Sequence, residues 1–505
     1  MEGPDLSASA EDDEEKIMSD SIEKNKTGSV SAGLAWKLLE LCGTQGIQLL
    51  VSIVLARILS PDEYGTISLI TIFITIANTI VTSGFATALI QKEDVTKDDF
   101  SSVFWVSLML SVILYGVLFL IAPWVADFYE IPVLSDLLRL TAVLVFPASI
   151  VSIQTAYLAR RLQFRKLFFA SLVAVIISGA IAVFLAARGA GVWAMSAQQI
   201  LFYILLECVL FFIVEWKPHF VLAWDRLREL IRFGWKVLVA GLIDSIWSNV
   251  YGLIIGKKFS AAELGGYNRG EQFPKLIATN ISSTIASVML PAYSRMQNDI
   301  TLLAKSLRQT VQYSAFLIFP LMAGLVAVAE PMVSVILTDK WLFCVPYLRI
   351  LAVSYMLYPM DSANLQAINA IGRSDLFLKY EILKKISGIL FLLAGLPFGI
   401  IAMLTLRACC EIVCYLINAS CSRKLIGYGI GTQVLDFLPS LLCAGIMCGA
   451  VYALSFTGLS GILLLILQVL LGIAVYAAAS LLLNRKVALE LLEFVKEKVR
   501  KHESC

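Results

Sequence analysis

The stretch Ser460–Leu483, SGILLLILQVLLGIAVYAAASLLL, runs without a single Asp, Glu, Lys or Arg. About 20 residues of helix cross the ~30 Å hydrocarbon core of a bilayer, so this stretch is long enough to span one. Runs of the same kind precede it at 34–58, 66–90, 101–127, 134–158, 167–187, 191–215, 230–256, 270–291, 310–337, 345–370, 379–397, 399–422 and 433–455. Together they predict about fourteen transmembrane helices joined by short loops, an all-α polytopic membrane protein. Composition agrees. Of 505 residues, 59% are hydrophobic and 15% charged, and the mean hydropathy is +0.81. A water-solvated surface could not be built from that mixture.

Short loops rich in Lys and Arg stay on the cytoplasmic side of a membrane. Here the basic residues follow the even-numbered spans: Lys92 and Lys97; Arg160, Arg161, Arg165 and Lys166; Lys217, Arg226 and Arg228; Arg295, Lys305 and Arg308; Arg373, Lys379, Lys384 and Lys385; Arg423 and Lys424. The odd-numbered loops 128–133, 397–400 and 456–460 contain none. The alternation predicts an even span count with both termini in the cytoplasm. Residues 1–32, with the acidic run Glu11–Glu15 and no basic-then-apolar leader, read as a disordered cytoplasmic tail. Residues 485–505 read as a second cytoplasmic tail, whose part from Val487 to Lys501 forms an amphipathic or merely solvated helix.

Several function classes are disfavoured. A net charge of +2 gives no basis for nucleic-acid binding. Two histidines, His219 and His502, are too few for histidine-based hydrolysis or a His-ligated metal. Most of the ten cysteines lie inside apolar runs, where a free thiol behaves as a small hydrophobe. No cofactor, no metal and no catalytic residue is expected, and the chain does not read as an enzyme.

Two segments about 200 residues apart resemble each other: Arg57-Ile-Leu-Ser-Pro-Asp-Glu-Tyr-Gly65 and Lys257-Lys-Phe-Ser-Ala-Ala-Glu-Leu-Gly265. Upstream, Trp36-Lys37 answers Trp235-Lys236. A second pair sets Phe146-Pro147, Gln154 and Arg161 against Tyr358-Pro359, Gln366 and Arg373 at one spacing. Leu138-Arg139-Leu140 against Leu348-Arg349-Ile350 needs a two-residue slip, roughly 200° of helix rotation, so the Pro and Gln matches carry more weight. Spans one and seven both start in the cytoplasm, which makes the halves parallel repeats. The expected division is 33–216 and 217–425 as two pseudo-symmetric six-helix bundles, with 426–484 as two additional spans.

The motif Leu55-Ala-Arg-Ile-Leu-Ser-Pro-Asp-Glu-Tyr-Gly65, then Gly84-Phe-Ala-Thr-Ala-Leu-Ile-Gln91, Tyr157-Leu-Ala-Arg-Arg-Leu-Gln-Phe164 and Gly189-Ala-Gly-Val-Trp-Ala194, resembles the polysaccharide transporter family. These are Wzx-type flippases, in the superfamily that also holds multidrug extruders and peptidoglycan lipid flippases. The resemblance covers roughly 30–425. It implies two six-helix bundles around a V-shaped cavity, alternating access, and export of undecaprenyl-pyrophosphate-linked oligosaccharide across a bacterial cytoplasmic membrane. The partners expected are that lipid-linked substrate, membrane lipids, a proton or Na+ as coupling ion, and glycan polymerase machinery. The rival is an ion-coupled multidrug or toxin extruder with the same twelve-helix core. A polymerase or ligase would instead need a large extracytoplasmic loop, which the odd-numbered loops lack.

Moving a sugar headgroup needs a polar path, because phosphate and hydroxyls left unsatisfied in hydrocarbon cost several kcal/mol each. Ionisable residues deep inside spans are few: Glu207, Asp244, Asp361, Arg407 and Glu411. Asp244, beside Ser245, Trp247, Ser248 and Asn249, and Asp361, beside Ser362 and Asn364, could each accept a sugar hydroxyl or a coupling proton, or serve as structural glue. Arg407 could grip a diphosphate with its forked donors or pair with Glu411 one turn away. Lys37, Arg57 and Lys236 near span ends could face the cavity or snorkel to the interface. Gln154 and Gln366 could bind sugar hydroxyls or bond helix to helix. Pro147, Pro320, Pro359 and Pro439 fall inside spans and should bend them. These eight residues, Lys37, Arg57, Gln154, Lys236, Asp244, Asp361, Gln366 and Arg407, are the expected lining of the substrate cavity.

Overall fold

The computed structural model describes residues 36–37, 39–92, 95–221, 224–491, 493 and 496. The tail 1–32 lies outside the described residues, as does most of 485–505. Among the described residues the secondary structure is helical, with no strand. Thirteen helical segments are long and apolar enough to cross a membrane, and each falls on one of the expected spans. The remaining span, 379–397, forms as the helix Ser374–Gly395, but Asp375, Lys379, Glu381, Lys384 and Lys385 make it too charged to join them. Among the described residues the count by length and composition is thus thirteen rather than fourteen. The protein is a multi-pass membrane protein.

The chain forms two compact units, residues 1–262 and 263–505. The first contains α1 (Leu39–Ile58), α2 (Pro61–Gln91), α3 (Lys97–Tyr129), α4 (Val133–Thr141), α5 (Val145–Arg160), α6 (Phe164–Ala187), α7 (Val192–Ile213) and α8 (Trp224–Lys258). The expected boundary at 216/217 differs from this division, because α8 packs on α2 and α3. Tyr129 Oη donates to Leu253 O at 3.3 Å, and Lys257 Nζ reaches Glu130 Oε1 at 3.0 Å while lying over the Phe128 ring.

Local sequence explains where these helices begin. Ser60 and Glu63 form a capping box, Ser60 N donating to Glu63 Oε2 at 2.7 Å and Glu63 N to Ser60 Oγ at 3.3 Å, with Pro61 in the first turn. Thr96 and Asp99 repeat the device at the start of α3. On α6 every fourth residue from Ala170 through Ala174, Ser178 and Ala182 to Ala186 is small and buried, the pattern by which helices approach closely in lipid. Gly179 lies against α1: a Cβ there would come within 2.5 Å of Val51 Cγ2.

The segment leaving α7 is tied down on α3. Both ring nitrogens of His219 are engaged, Nε2 with Asp98 Oδ1 at 2.8 Å and Nδ1 with Ser101 Oγ at 3.0 Å. Trp105 Nε1 donates to His219 O at 3.1 Å, Ser102 Oγ to Val221 O at 3.2 Å, and Trp216 is buried against Phe100 and Phe104. His219→Ala removes two of these bonds, a loss of about 1–3 kcal/mol of local stability. The expected result is about tenfold or greater faster limited proteolysis within 214–221, with the cleavage pattern elsewhere unchanged.

The second unit holds α9 (Ala261–Arg295, all but its first two residues), α10 (Ile300–Ile336), α11 (Val345–Ser354), α12 (Tyr358–Ala370), α13 (Ser374–Gly395), α14 (Ile400–Ile426), α15 (Ile430–Ala453) and α16 (Gly461–Leu483). Pro320 and Pro439 lie inside α10 and α15. Pro359 instead sits in the first turn of α12 and Pro147 near the start of α5, each just after a 3-10 turn, Tyr355–Leu357 and Ala142–Leu144. Spans four and ten are therefore each two helices in series. A proline in the first turn costs no backbone bond. The core of this unit runs along α10, where Leu303, Leu307, Val311, Ile318, Phe319 and Met322 are buried, and Phe319 meets Phe437 of α15 edge to face.

Candidate functional site

Inside the second unit a ladder of polar side chains follows one face of α14. Arg407, Glu411, Asn418 and Ser422 recur at spacings of four, seven and four residues, which keeps them on a common stripe of a 3.6-residue helix. Apolar helices surround it, so each polar group must find a partner or bear a desolvation cost.

The first rung joins α14 to α9. Arg407 Nη2 donates to Glu271 Oε1 at 2.9 Å, with both side chains largely buried. Its Nη1 donates to Tyr267 Oη at 2.6 Å, and Nη2 also to Tyr355 Oη at 3.0 Å. Both phenols donate in turn to Glu271 Oε1, at 3.0 Å from Tyr267 and 2.9 Å from Tyr355. Lys275 Nζ stands 3.5 Å from Glu271 Oε2. The sequence leaves Arg407 either to grip a diphosphate or to pair with Glu411 on its own helix, and the structure shows it bound across helices to Glu271.

The second rung joins α12, α13 and α14. Asn418 Nδ2 donates to Asp361 Oδ1 at 2.7 Å, and Lys384 Nζ lies 3.6 Å from Asp361 Oδ2 and 2.5 Å from Glu381. The third rung is fully buried. Asn364 Nδ2 donates to Gln433 Oε1 at 3.1 Å and Gln433 Nε2 to Asn364 Oδ1 at 3.0 Å, while Tyr415 Oη and Ser422 Oγ donate into the same pair at 2.6 and 2.7 Å. Beyond it, Asp436 accepts from Arg308 Nη2 at 2.6 Å, Gln312 Nε2 at 3.0 Å and Tyr428 Oη at 2.9 Å. Burial, with the hydrogen bond to the Asp436 carboxylate, pushes the Tyr428 phenol well above its ordinary range.

Of the eight expected lining residues, this ladder includes Asp361 and Arg407. Gln366 is half-buried on α12. Gln154 is buried on α5, with Oε1 lacking a hydrogen-bond partner among the described residues. Lys37 pairs with Glu40 at 2.5 Å, while Arg57, Lys236 and Asp244 are exposed on the first unit. Sequence reasoning missed Glu271, Tyr267, Tyr355, Lys384 and Asn418 as members of the site. Arg139 Nε donates to Phe119 O and Arg349 Nε to Val326 O, both at 3.3 Å. The arginine match that needed a slip therefore recurs as a contact. In its frame Gln154 corresponds to buried Asn364 rather than to Gln366.

A family model described as polysaccharide biosynthesis protein matches residues 54–346, more than half of the chain. The teichuronic acid biosynthesis protein TuaB of Bacillus subtilis (strain 168) is 25% identical over 85% of this chain and 89% of its own length. The succinoglycan biosynthesis transport protein ExoT of Rhizobium meliloti (strain 1021) is 24% identical over 71% of this chain and 73% of its own. Among solved structures, the lipid II flippase MurJ in an inward closed conformation superposes with a TM-score of 0.73 at 16% identity. That likeness covers 90% of this chain and 99% of MurJ, and shows a shared fold.

Proposed function

Because the chain belongs to the polysaccharide biosynthesis protein family, we propose that it is an exporter that flips undecaprenyl-pyrophosphate-linked oligosaccharide across the bacterial cytoplasmic membrane. It does so by alternating access, with both termini in the cytoplasm. The observation that supports this reading is the polar ladder along α14. Arg407, Glu271, Asp361 and Lys384 sit among apolar helices, where charge is expensive and is usually kept for a transport path. Fork-shaped donors of Arg407 suit a diphosphate. The amides and phenols around it suit sugar hydroxyls, and Asp361 between Lys384 and Asn418 is the candidate acceptor of a coupling proton. The roles of TuaB in teichuronic acid biosynthesis and of ExoT in succinoglycan biosynthesis transport agree with this substrate class.

The test is a gene deletion read by a leaflet-resolved assay. Loss of the protein is expected to trap lipid-linked oligosaccharide on the cytoplasmic leaflet, and Asp361→Ala to lower export at least tenfold at normal protein level. Normal translocation in the deletion strain would overturn the reading.

A further inference from the structure

Glu271 occupies the place at which an anionic ligand would meet Arg407. One of its oxygens, Oε1, takes all three strong donors: Arg407 Nη2 at 2.9 Å, Tyr355 Oη at 2.9 Å and Tyr267 Oη at 3.0 Å. The other oxygen, Oε2, has among the described residues only the longer contact to Lys275 Nζ at 3.5 Å. One carboxylate is thus divided unevenly between two cations. Arg407 lies inside the unit, and Lys275, one turn along the same helix face and 46% exposed, lies at its edge. The ion pair between Arg407 and Glu271 runs from Nη2 to Oε1, whereas a guanidinium can meet a phosphate through two parallel bonds.

We infer that Glu271 is a displaceable stand-in for a phosphate-bearing ligand. The ligand takes over Arg407, Tyr267 and Tyr355, and Glu271 turns onto Lys275, a favourable pairing at four-residue spacing. This rests on the reading of the chain as a carrier of a diphosphate-linked lipid. The exchange has a physical purpose. A buried guanidinium stripped of its counter-charge is costly, and here Arg407 is compensated before and after binding. The carboxylate also competes with the ligand, so the ligand is held only by the difference between two similar sets of bonds and can be released. A further carboxylate stands near the guanidinium. Glu411 lies one turn from Arg407 on α14, and Asp361 and Glu381 are engaged with Lys384.

The experiment titrates inorganic pyrophosphate into the full-length protein in phosphatidylcholine nanodiscs, reading affinity and thermal stability. Glu271→Gln keeps the shape and removes the competing charge. It is expected to bind pyrophosphate tenfold or more tightly than the wild type and to gain more thermal stability from it. Lys275→Met is expected to weaken binding in the wild-type background, where Glu271 loses its alternative partner, and to have little effect in the Glu271→Gln background. Should Glu271→Gln not fold, Glu271→Asp decides: it draws the carboxylate back by one methylene and is expected to tighten binding by a smaller factor. Unchanged or weaker pyrophosphate binding by the folded Glu271 variants overturns the inference. So does an equal effect of Lys275→Met in both backgrounds. Translocation in the leaflet assay is scored separately. A carrier whose Glu271 variants gain no affinity loses the exchange and keeps its function, whereas a stronger pyrophosphate site in a protein that moves no lipid-linked oligosaccharide loses the function and keeps the exchange.

Discussion

Arg407→Met is expected to abolish export and to destabilise the second unit by about 3–5 kcal/mol, the cost of breaking a buried ion pair by deleting one partner. The guanidinium meets Glu271, Tyr267 and Tyr355 at once. Without it the Glu271 carboxylate keeps two phenols and a lysine at 3.5 Å, too little to offset its desolvation. Arg407→Lys separates charge from shape. An ammonium restores the pairing with Glu271 and recovers much of the stability, but a point charge lacks the planar fork that holds both phenols in place. Thermal unfolding of the purified protein and the leaflet assay together check this. The expected outcome is a Lys variant that is folded and poorly active, and a Met variant that is neither. A Met variant with wild-type melting and wild-type export would remove Arg407 from the site.

The spans were legible because lipid makes length and hydropathy nearly sufficient. Thirteen runs of the sequence became helices of the required length, at the expected places. The exception, α13, shows the limit of that reading. Lys384 counts among the basic residues from which the sidedness is read, yet it is largely buried on a helix against Asp361 and Glu381. A charge pattern alone does not distinguish a loop cation from one that a neighbouring carboxylate draws inward.

Glu271 was missed for a related reason. The expected span began at 270, which left this acid at an edge, where charge is cheap, whereas α9 begins at Ala261 and buries it a further two turns in. Tyr267 and Tyr355 carry no formal charge and so gave no signal among many aromatic residues. Asp361 and Arg407 were found because an ionised group in the middle of an apolar run has few bland explanations. The arginine match between the halves was discounted because a helix was assumed to run unbroken through each span. The 3-10 turns Ala142–Leu144 and Tyr355–Leu357 interrupt those spans at different places relative to Arg139 and Arg349, so one unbroken helical register does not run from either arginine to the proline beyond it.

The motif that pointed to the family also makes the second large prediction. Gly65 follows the Ser60–Glu63 capping box in the first turns of α2, and its backbone passes so close to Ala261 that a Cβ built on Gly65 would overlap the Ala261 carbonyl oxygen and carbon. Both offending groups are main chain, so no rotamer change relieves the collision, and one helix start must move away from the other. Tyr64 beside it is also fixed, with its hydroxyl 3.1 Å from Ser52 Oγ on α1. A shift of this turn would therefore disturb α1 as well. Gly65→Ala is expected to cost at or above the upper end of the ~1–3 kcal/mol typical of overpacking, and to leave little folded protein in the membrane. Gly116→Ala in α3, where a Cβ meets nothing within 4 Å, is the matched control. It should be neutral or up to about 1 kcal/mol stabilising, because alanine is the better helix former. Folded yield and melting temperature in detergent check both. Equal behaviour of the two alanine variants would mean that the close approach at Gly65 does not hold these helix starts together. The recurrence of that glycine at Gly265 would then need a different explanation from packing.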